Sequence, residues 1–243
     1  MKLSVVMPVH NEEAYLPYSL NSLRNCSIDE LAILLDCCTD HSEAILQSFK
    51  TEIPIRIYRQ TRRKSKAKVW EDIIKKADNE IVYPLGADVI ADPFMFDASP
   101  FANEKVAVVT YRHYPYRLET VHLHEGWETL LSKTLDKLGI FKVTQFGVFG
   151  LRKSIFKKLR GFHDVISPFN DYKQRVLEAG YTCLHNTSTN ILHLRPEWDK
   201  QRQYNLGKAR AVELHYPLWR VLLHSFLHLK PYVLAGYLQA KRR

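Results

Sequence analysis

The 243-residue chain predicts an α/β domain with a mostly parallel central sheet flanked by helices, followed by a short helical appendage. Three observations carry this expectation. Residues 3–9, 31–35 and 81–85 have the near-continuous hydrophobicity of strands buried on both faces. The first two runs end abruptly in polar clusters, and each cluster leads into a segment of helical periodicity. Such β–α alternation builds parallel strands through right-handed crossovers. The composition, 46% hydrophobic and 25% charged, belongs to a folded domain, and the length allows one large α/β core or two small ones.

In order, the first strand (3–9) breaks at His10-Asn11-Glu12-Glu13. Asn11 is expected to cap a helix that carries both glutamates in its first turn and continues through Leu16, Leu20 and Leu23. The second strand ends in Asp36-Cys37-Cys38-Thr39-Asp40-His41-Ser42, where Thr39, Asp40 or Ser42 caps a helix over 43–49. A third strand covers 53–58. Residues 62–68 then pack five positive charges into seven positions ahead of a helix over 69–77. The run 81–85 stops at Gly86-Ala87-Asp88, beyond the carboxyl end of a strand, where ligands bind in open α/β sheets. A carboxylate there reaches a hard cation able to neutralise phosphates, although a plain turn has the same composition. Asp92, before Pro93, reads as a turn or helix cap.

The formal net charge of +9 favours acidic partners such as phosphates, nucleic acid or anionic lipid. No Gly-x-Gly-x-x-Gly follows the first strand and no Gly-x-x-x-x-Gly-Lys-Ser/Thr loop occurs, so a bound nucleotide is held by side chains rather than a glycine cradle. No aromatic RNA-binding pattern, zinc finger or helix-turn-helix accompanies the basic stretch, so nucleic acid is not the expected partner. Cys26, Cys37, Cys38 and Cys183 lack Cys-x-x-Cys spacing and read as small core residues of a reducing compartment. Met1 and Lys2 run straight into a strand, and no stretch of about 18 apolar residues occurs. A cytoplasmic protein, or one peripheral at the inner face of the cell membrane, is expected.

Residues 5–13, Val-Val-Met-Pro-Val-His-Asn-Glu-Glu, resemble the opening strand of family 2 glycosyltransferases, which have a GT-A fold. Residues 36–42 resemble that family's Asp-x-Ser-Thr-Asp-x-Thr stretch. The resemblance implies a nucleotide-diphospho-sugar donor. It assigns Pro8, His10 and Glu12 to the base-side wall and Asp36 to the base or ribose. Lys64, Lys66 and Lys68 become candidates to meet the diphosphate, with nothing in the sequence to choose among them and Lys66 standing for the three. The family usually reads Asp-x-Asp where this chain has Gly86-Ala87-Asp88, so Asp88 matches the residue that binds a divalent cation, Mg²⁺ or Mn²⁺, and Gly86 departs from the pattern.

In the second half, 106–111 is strand-like, and His122 and His124 would share one face of a strand, as metal ligands or as polar surface. An amphipathic helix over 127–138, a glycine-bearing strand over 143–151 and a basic helix over 152–159 follow. Phe169-Asn170-Asp171 resembles the Glu-Asp helix start of the family, which implies Asp171 as general base, with a plain helix cap as the alternative. A strand within 182–194 ends at His193, which the resemblance offers as a further metal ligand. Residues 201–210 resemble the segment that closes over the diphosphate, with Arg202, Lys208 and Arg210 as phosphate contacts or a plain basic helix. The expected layout is a transferase domain over 1–210, with a nucleotide half to about 100 and an acceptor half beyond it, then an appendage over 211–243. The implied reaction moves a sugar with inversion to a glycan or lipid-linked acceptor. The alternative is a non-catalytic nucleotide-sugar-binding protein. The apolar, Trp- and Tyr-bearing stretch 217–243 fits an interfacial helix pair on an anionic leaflet, and equally helices packed on the protein or in a homodimer.

Overall fold

A computed structural model describes residues 1–115, 134, 148–195 and 200–242. Among the described residues, eight strands form a single sheet in the order β3-β2-β1-β4-β7-β6-β8-β5. The strands are β1 (Leu3–Val9), β2 (Glu30–Asp36), β3 (Ile55–Gln60), β4 (Ile81–Pro84), β5 (Val89–Ile90), β6 (Val106–Pro115), β7 (Val148–Arg152) and β8 (Thr182–His193). The first four are parallel, as β–α alternation requires, and β6 and β8 are also parallel. β7 runs antiparallel between β4 and β6, and β5 runs antiparallel on β8.

The apolar runs form strands because both faces are covered. Val5, Met7 and Val9 pack on one face with Leu16, Leu20 and Leu46, while Val6 joins Trp70, Ile73 and Phe156 on the other. Each such aliphatic side chain contributes about 1.5–3 kcal/mol by leaving water, so a charge at Val6 would break the central strand. Pro8 sits in this central strand without cost. Its nitrogen faces β4, whose pairing with β1 ends at Val6↔Pro84, so no ladder bond is lost.

The helices α1 (Leu16–Leu23), α2 (Ser42–Ser48), α3 (Lys66–Lys76), α4 (Lys153–Lys158) and α5 (Pro168–Glu178) flank the sheet. Two boundaries differ from expectation. Asn11 does not cap α1: it takes a left-handed φ of 53°, and its side chain accepts the Thr39 amide at 2.8 Å, binding the β1 loop to the β2 loop instead. The first turn closes through the Glu12 carbonyl, and α1 begins only at Leu16. α3 starts three residues before the apolar periodicity, because the Ser65 hydroxyl accepts the Lys68 amide and caps it. The basic stretch is therefore half loop, half helix. The expected histidine strand at 122–124, the helix over 127–138 except for residue 134, and residues 143–147 lie outside the described residues.

Beyond β8 come α6 (Lys200–Val212), α7 (Leu218–Leu227) and α8 (Pro231–Lys241), with Pro231 opening the last helix as the sequence suggested. α8 crosses α6 at Gly207 and Gly236. A Cβ on Gly207 would lie 2.8 Å from the Tyr237 nitrogen and 2.9 Å from the Val233 carbonyl carbon, so only glycine allows this backbone contact. Ala211, Val221, Val233 and Tyr237 fill the seam. The Tyr237 hydroxyl donates to the Tyr216 carbonyl at 2.7 Å. The expected boundary near 210 thus falls inside α6, whose far face carries the appendage. Among the described residues no helix is long and apolar enough to cross a membrane.

Candidate active site

The carboxyl ends of β1, β2 and β4 open on one edge of the sheet, which fixes where polar side chains can gather. The β1–β2 register brings His10 beside Asp36. The His10 Nδ1 lies 2.6 Å from the Asp36 carbonyl, and because a carbonyl only accepts, Nδ1 is the donor. The buried Asp36 carboxylate accepts Gln60 Nε2 at 2.5 Å and Arg63 at 2.9 Å. Two further bonds join the loops after β1 and β2, from the Glu12 amide to Ser42 Oγ and from the Glu13 amide to Asp40 Oδ2, each at 2.9 Å. Pro8, His10 and Asp36 thus share one wall. Gln60 and Arg63 belong to it as well, though nothing in the linear pattern marked them.

Across the edge lies Asp88. Its loop is held by α1, where Ser19 Oγ donates to the Gly86 carbonyl and Ser22 Oγ accepts the Ala91 amide at 2.9 Å. The β5–β8 pairing sets Val89 opposite His193, and the Leu194 amide donates to the Asp88 carbonyl at 2.8 Å. This brings together two of the residues singled out in the sequence, with His193 Nε2 3.6 Å from Asp88 Oδ2. His193 Nδ1 donates to the Arg195 carbonyl at 3.0 Å, so in the neutral ring the Nε2 lone pair is turned toward the carboxylate.

That arrangement fits a divalent cation. Ligand bonds of about 2.1 Å at right to tetrahedral angles put neighbouring donor atoms roughly 3.0–3.4 Å apart, so the 3.6 Å pair needs to close by only a few tenths of an ångström. A metal-bound histidine also donates its other nitrogen to a carbonyl, as His193 does. Among the described residues no set of three or more His, Cys, Asp and Glu side chains converges, so substrate phosphates and water would complete the shell. Gly86 makes room for this carboxylate: a Cβ there would meet Asp88 Oδ1 at 2.6 Å.

Arg195 spans the same cleft. Its Nε lies 3.1 Å from Asp88 Oδ2, its terminal nitrogen donates to Glu12 Oε1, and its guanidinium stands 5.7 Å from the Tyr15 ring centroid. Burial works against its charge, but the Glu12 and Asp88 carboxylates outweigh burial and raise its pKa. Desolvation raises Glu12 above the usual carboxylate range against the pull of Arg195, and Glu12 Oε2 is buried with no hydrogen-bond partner among the described residues. The sequence placed Glu12 on the base wall; the structure makes it the far anchor of Arg195. Arg195 itself went unnoticed, although two residues past His193 on an extended segment is the same side of the chain.

The basic stretch resolves into distinct jobs. Lys64 pairs with Asp72 at 2.5 Å and Lys68 with Glu71 at 3.2 Å, both along α3. Lys66 instead lies 5.3 Å from the Phe169 ring centroid, in the field of Arg202, Asp88 and Arg195. Its side chain is still reached by solvent, yet the packed cleft lowers its pKa, first by desolvation and then through the Arg202 charge. Arg202, in the first turn of α6, therefore joins the cluster. Arg210 does not. It lies two turns on, about 12 Å along the helix, and its guanidinium donates to His224 Nε2 at 3.0 Å, so it braces α7 instead of meeting phosphate. Lys208 lies 4.9 Å from the Tyr204 ring centroid on α6.

Asp171 occupies the first turn of α5. Its Oδ2 accepts Arg175 Nε at 2.9 Å and the Arg175 terminal nitrogen at 2.8 Å, with His163 Nδ1 at 3.2 Å. Arg175 in turn donates to the Leu159 and Gly161 carbonyls. Asp171 thus ties α5 to the α4 connection, and its link to the Asp88 cluster runs through Phe169, two residues earlier, under Lys66.

The profile of the glycosyl transferase family 2 domain matches residues 4–160. Among curated proteins, the poly(ribitol-phosphate) β-N-acetylglucosaminyltransferase TarS of Staphylococcus aureus is 27% identical over 110 residues, 43% of this chain and 19% of the relative, so the match spans about a fifth of that protein. A mannosyltransferase from Pyrobaculum calidifontis in complex with GDP-Man and Mn²⁺ superposes with a TM-score of 0.68 at 17% identity, covering 98% of this chain and 73% of that one. S. aureus TarS 1–349 with UDP-GlcNAc gives 0.61 at 16% identity, over 98% and 72% of the two chains. Glucosyl-3-phosphoglycerate synthase of Mycobacterium tuberculosis, in complex with Mn²⁺, UDP and phosphoglyceric acid, gives 0.60 at 18%, over 84% and 77%. At these identities the superpositions speak to the fold, and the profile match speaks to descent. The chain belongs to glycosyl transferase family 2 and has its GT-A-type fold.

Proposed function

We propose that this chain transfers a sugar, with inversion, from a nucleoside-diphospho-sugar to a hydroxyl or lipid-phosphate acceptor. The observation that carries the reading is the convergence of Asp88, His193, Arg195, Lys66 and Arg202 at the carboxyl edge of the sheet. Solved relatives of the same fold hold GDP-Man or UDP-GlcNAc, which supports the donor class. The base rests against the Pro8, His10 and Asp36 wall. Asp88 and His193 would hold a Mg²⁺ or Mn²⁺ ion, which would supply Lewis-acid charge neutralisation on the leaving diphosphate. Lys66, Arg195 and Arg202 add donors where negative charge develops. Asp171 takes the acceptor proton; its role as base is separable from its role as a tie between α4 and α5. Asp171→Asn that abolishes turnover with unchanged nucleotide binding supports the base, whereas a lowered melting temperature with retained turnover assigns it to the tie alone.

The deciding experiment is a thermal-shift screen of UDP-, GDP- and dTDP-sugars with Mn²⁺, followed by assay of donor hydrolysis in wild type and Asp88→Ala. A ligand at a hundred times its Kd stabilises by about 2.7 kcal/mol, which such a screen reads easily. Stabilisation by one nucleotide class with Asp88-dependent turnover supports the transferase. Stabilisation without turnover makes this a nucleotide-sugar-binding protein.

One observation favours a membrane-borne acceptor. α7 turns Trp219 (64% exposed), Leu222 and Phe226 (80% exposed) outward, Leu229 is exposed just past its end, and residues 214–243 hold five Lys or Arg and no Asp or Glu. Such a face suits an anionic leaflet better than a second copy, which would oppose like charges. Co-sedimentation with phosphatidylglycerol vesicles, lost in Trp219→Ser/Phe226→Ser and absent with phosphatidylcholine, supports this; no sedimentation refutes it.

A further inference from the structure

The cleft contains one oxygen with two claims on it. Asp88 Oδ2 is the atom that faces His193 Nε2 at 3.6 Å and also the atom that meets Arg195 Nε at 3.1 Å. We infer that Arg195 is a charge-exchange residue: it neutralises Asp88 and Glu12 when the cleft holds no nucleotide, and it moves to the diphosphate when a divalent cation takes over Asp88. This rests on the proposed nucleotide-sugar site and specifies the order of events within it.

The argument is electrostatic. A guanidinium and a divalent cation on the same carboxylate oxygen repel each other within a few ångströms, so the metal meets a competitor for its principal ligand. Asp88 and Arg195 are partly buried, at 14% and 45% side-chain exposure, so salt screens this contest only in part. The displaced guanidinium needs a new anion. Its planar fork suits phosphate oxygens, and the anions brought by a nucleoside diphosphate arrive at this edge of the sheet. Glu12 forms the hinge of the exchange, since it grips the terminal nitrogen of Arg195 and leaves Nε as the part shared with Asp88. Its second oxygen, buried and without a hydrogen-bond partner among the described residues, leaves one acceptor for that fork as it turns. Metal and nucleotide then help each other: each removes a reason for Arg195 to stay where it is. Reciprocity requires the same coupling factor whichever ligand binds first.

The experiment compares wild type with Arg195→Met, which keeps the stem and removes the fork. Mn²⁺ alone is titrated by electron paramagnetic resonance of the free ion. UDP, GDP and dTDP are titrated calorimetrically, once in EDTA and once in saturating Mn²⁺, and melting curves confirm that both proteins are folded. The expected result has opposite signs: Arg195→Met binds Mn²⁺ alone about 5–150-fold more tightly than wild type, the usual span of such couplings, and binds the preferred nucleotide more weakly in Mn²⁺. Arg195→Lys keeps the charge without the fork, so it retains the weak metal affinity of wild type while losing nucleotide affinity. If Arg195→Met leaves Mn²⁺ affinity within twofold of wild type, or weakens metal and nucleotide together as a merely structural residue would, the exchange is refuted with the site intact. If wild type binds none of UDP, GDP and dTDP in Mn²⁺, the underlying site reading falls, and the exchange with it.

Discussion

Replacing Gly207 by alanine tests how the appendage is attached. In an isolated helix the change would stabilise by about 1 kcal/mol, because alanine propagates a helix better than glycine. Here the added methyl would sit 2.8 Å from the Tyr237 nitrogen and 2.9 Å from the Val233 carbonyl carbon, and closer still to the Val233 oxygen. Carbon contacts relax at about 3.5 Å, so α6 and α8 must part by upwards of roughly 0.6 Å. Their facing atoms are backbone, with no rotamer to yield, which places the cost near the top of the 1–3 kcal/mol range for overpacking. The net is a destabilisation of about 2 kcal/mol, or roughly 4–8 °C in melting temperature for a chain of this size. Gly236 meets the Tyr204 carbonyl in the same crossing, so the double alanine variant costs less than the sum of the two singles. Differential scanning calorimetry of the four proteins measures both quantities. A Gly207→Ala protein that melts at or above the wild-type temperature would refute the backbone-contact reasoning.

Other consequences follow from particular side chains. Asp88→Asn removes the carboxylate facing His193, so Mn²⁺ should no longer add to the thermal shift given by the preferred nucleotide; an undiminished increment counts against the metal pair. Lys66→Met should weaken nucleotide binding about tenfold or more, while Lys64→Met, whose ammonium is engaged by Asp72, should leave the isotherm unchanged. Burial, and then the Arg210 charge, depresses the pKa of His224 far below its ordinary 6.5. A depressed base contributes stability above the unfolded pKa and loses it as pH falls. Stability should therefore drop between pH 6.5 and 5 by up to about 1.4 kcal/mol per pH unit, discounted for the partial exposure of the ring. His224→Gln keeps an acceptor for Arg210 and should flatten that slope in pH-resolved denaturant titrations.

Much of the architecture was legible in order along the chain. Three apolar runs flanked by polar clusters announced the parallel half of the sheet, because strands buried on both faces have no solvent side to record an alternation. Asp88 could be named for its chemistry at a strand end, whereas His193 and the lysines of the basic stretch were named through the family resemblance. The misreadings share one cause. Asn11 has the composition of a helix cap and acts as a loop staple, since Thr39, its partner, is distant in sequence. Arg210 has the composition of a phosphate ligand and faces His224, since helix phase rather than charge decides its side.

The residues by themselves determined the fold class and the kinds of group gathered at the sheet edge, because hydrophobic periodicity and backbone chemistry are local properties. Tertiary structure decided which lysine of the basic stretch stays near Asp88 and which two spend their charge along α3. It also decided that Arg195 and His193 meet the same carboxylate oxygen. That meeting depends on the short β5–β8 pairing, a contact across about a hundred residues. No local pattern encodes such a pairing, because its energy comes from where the rest of the sheet has placed the two strands.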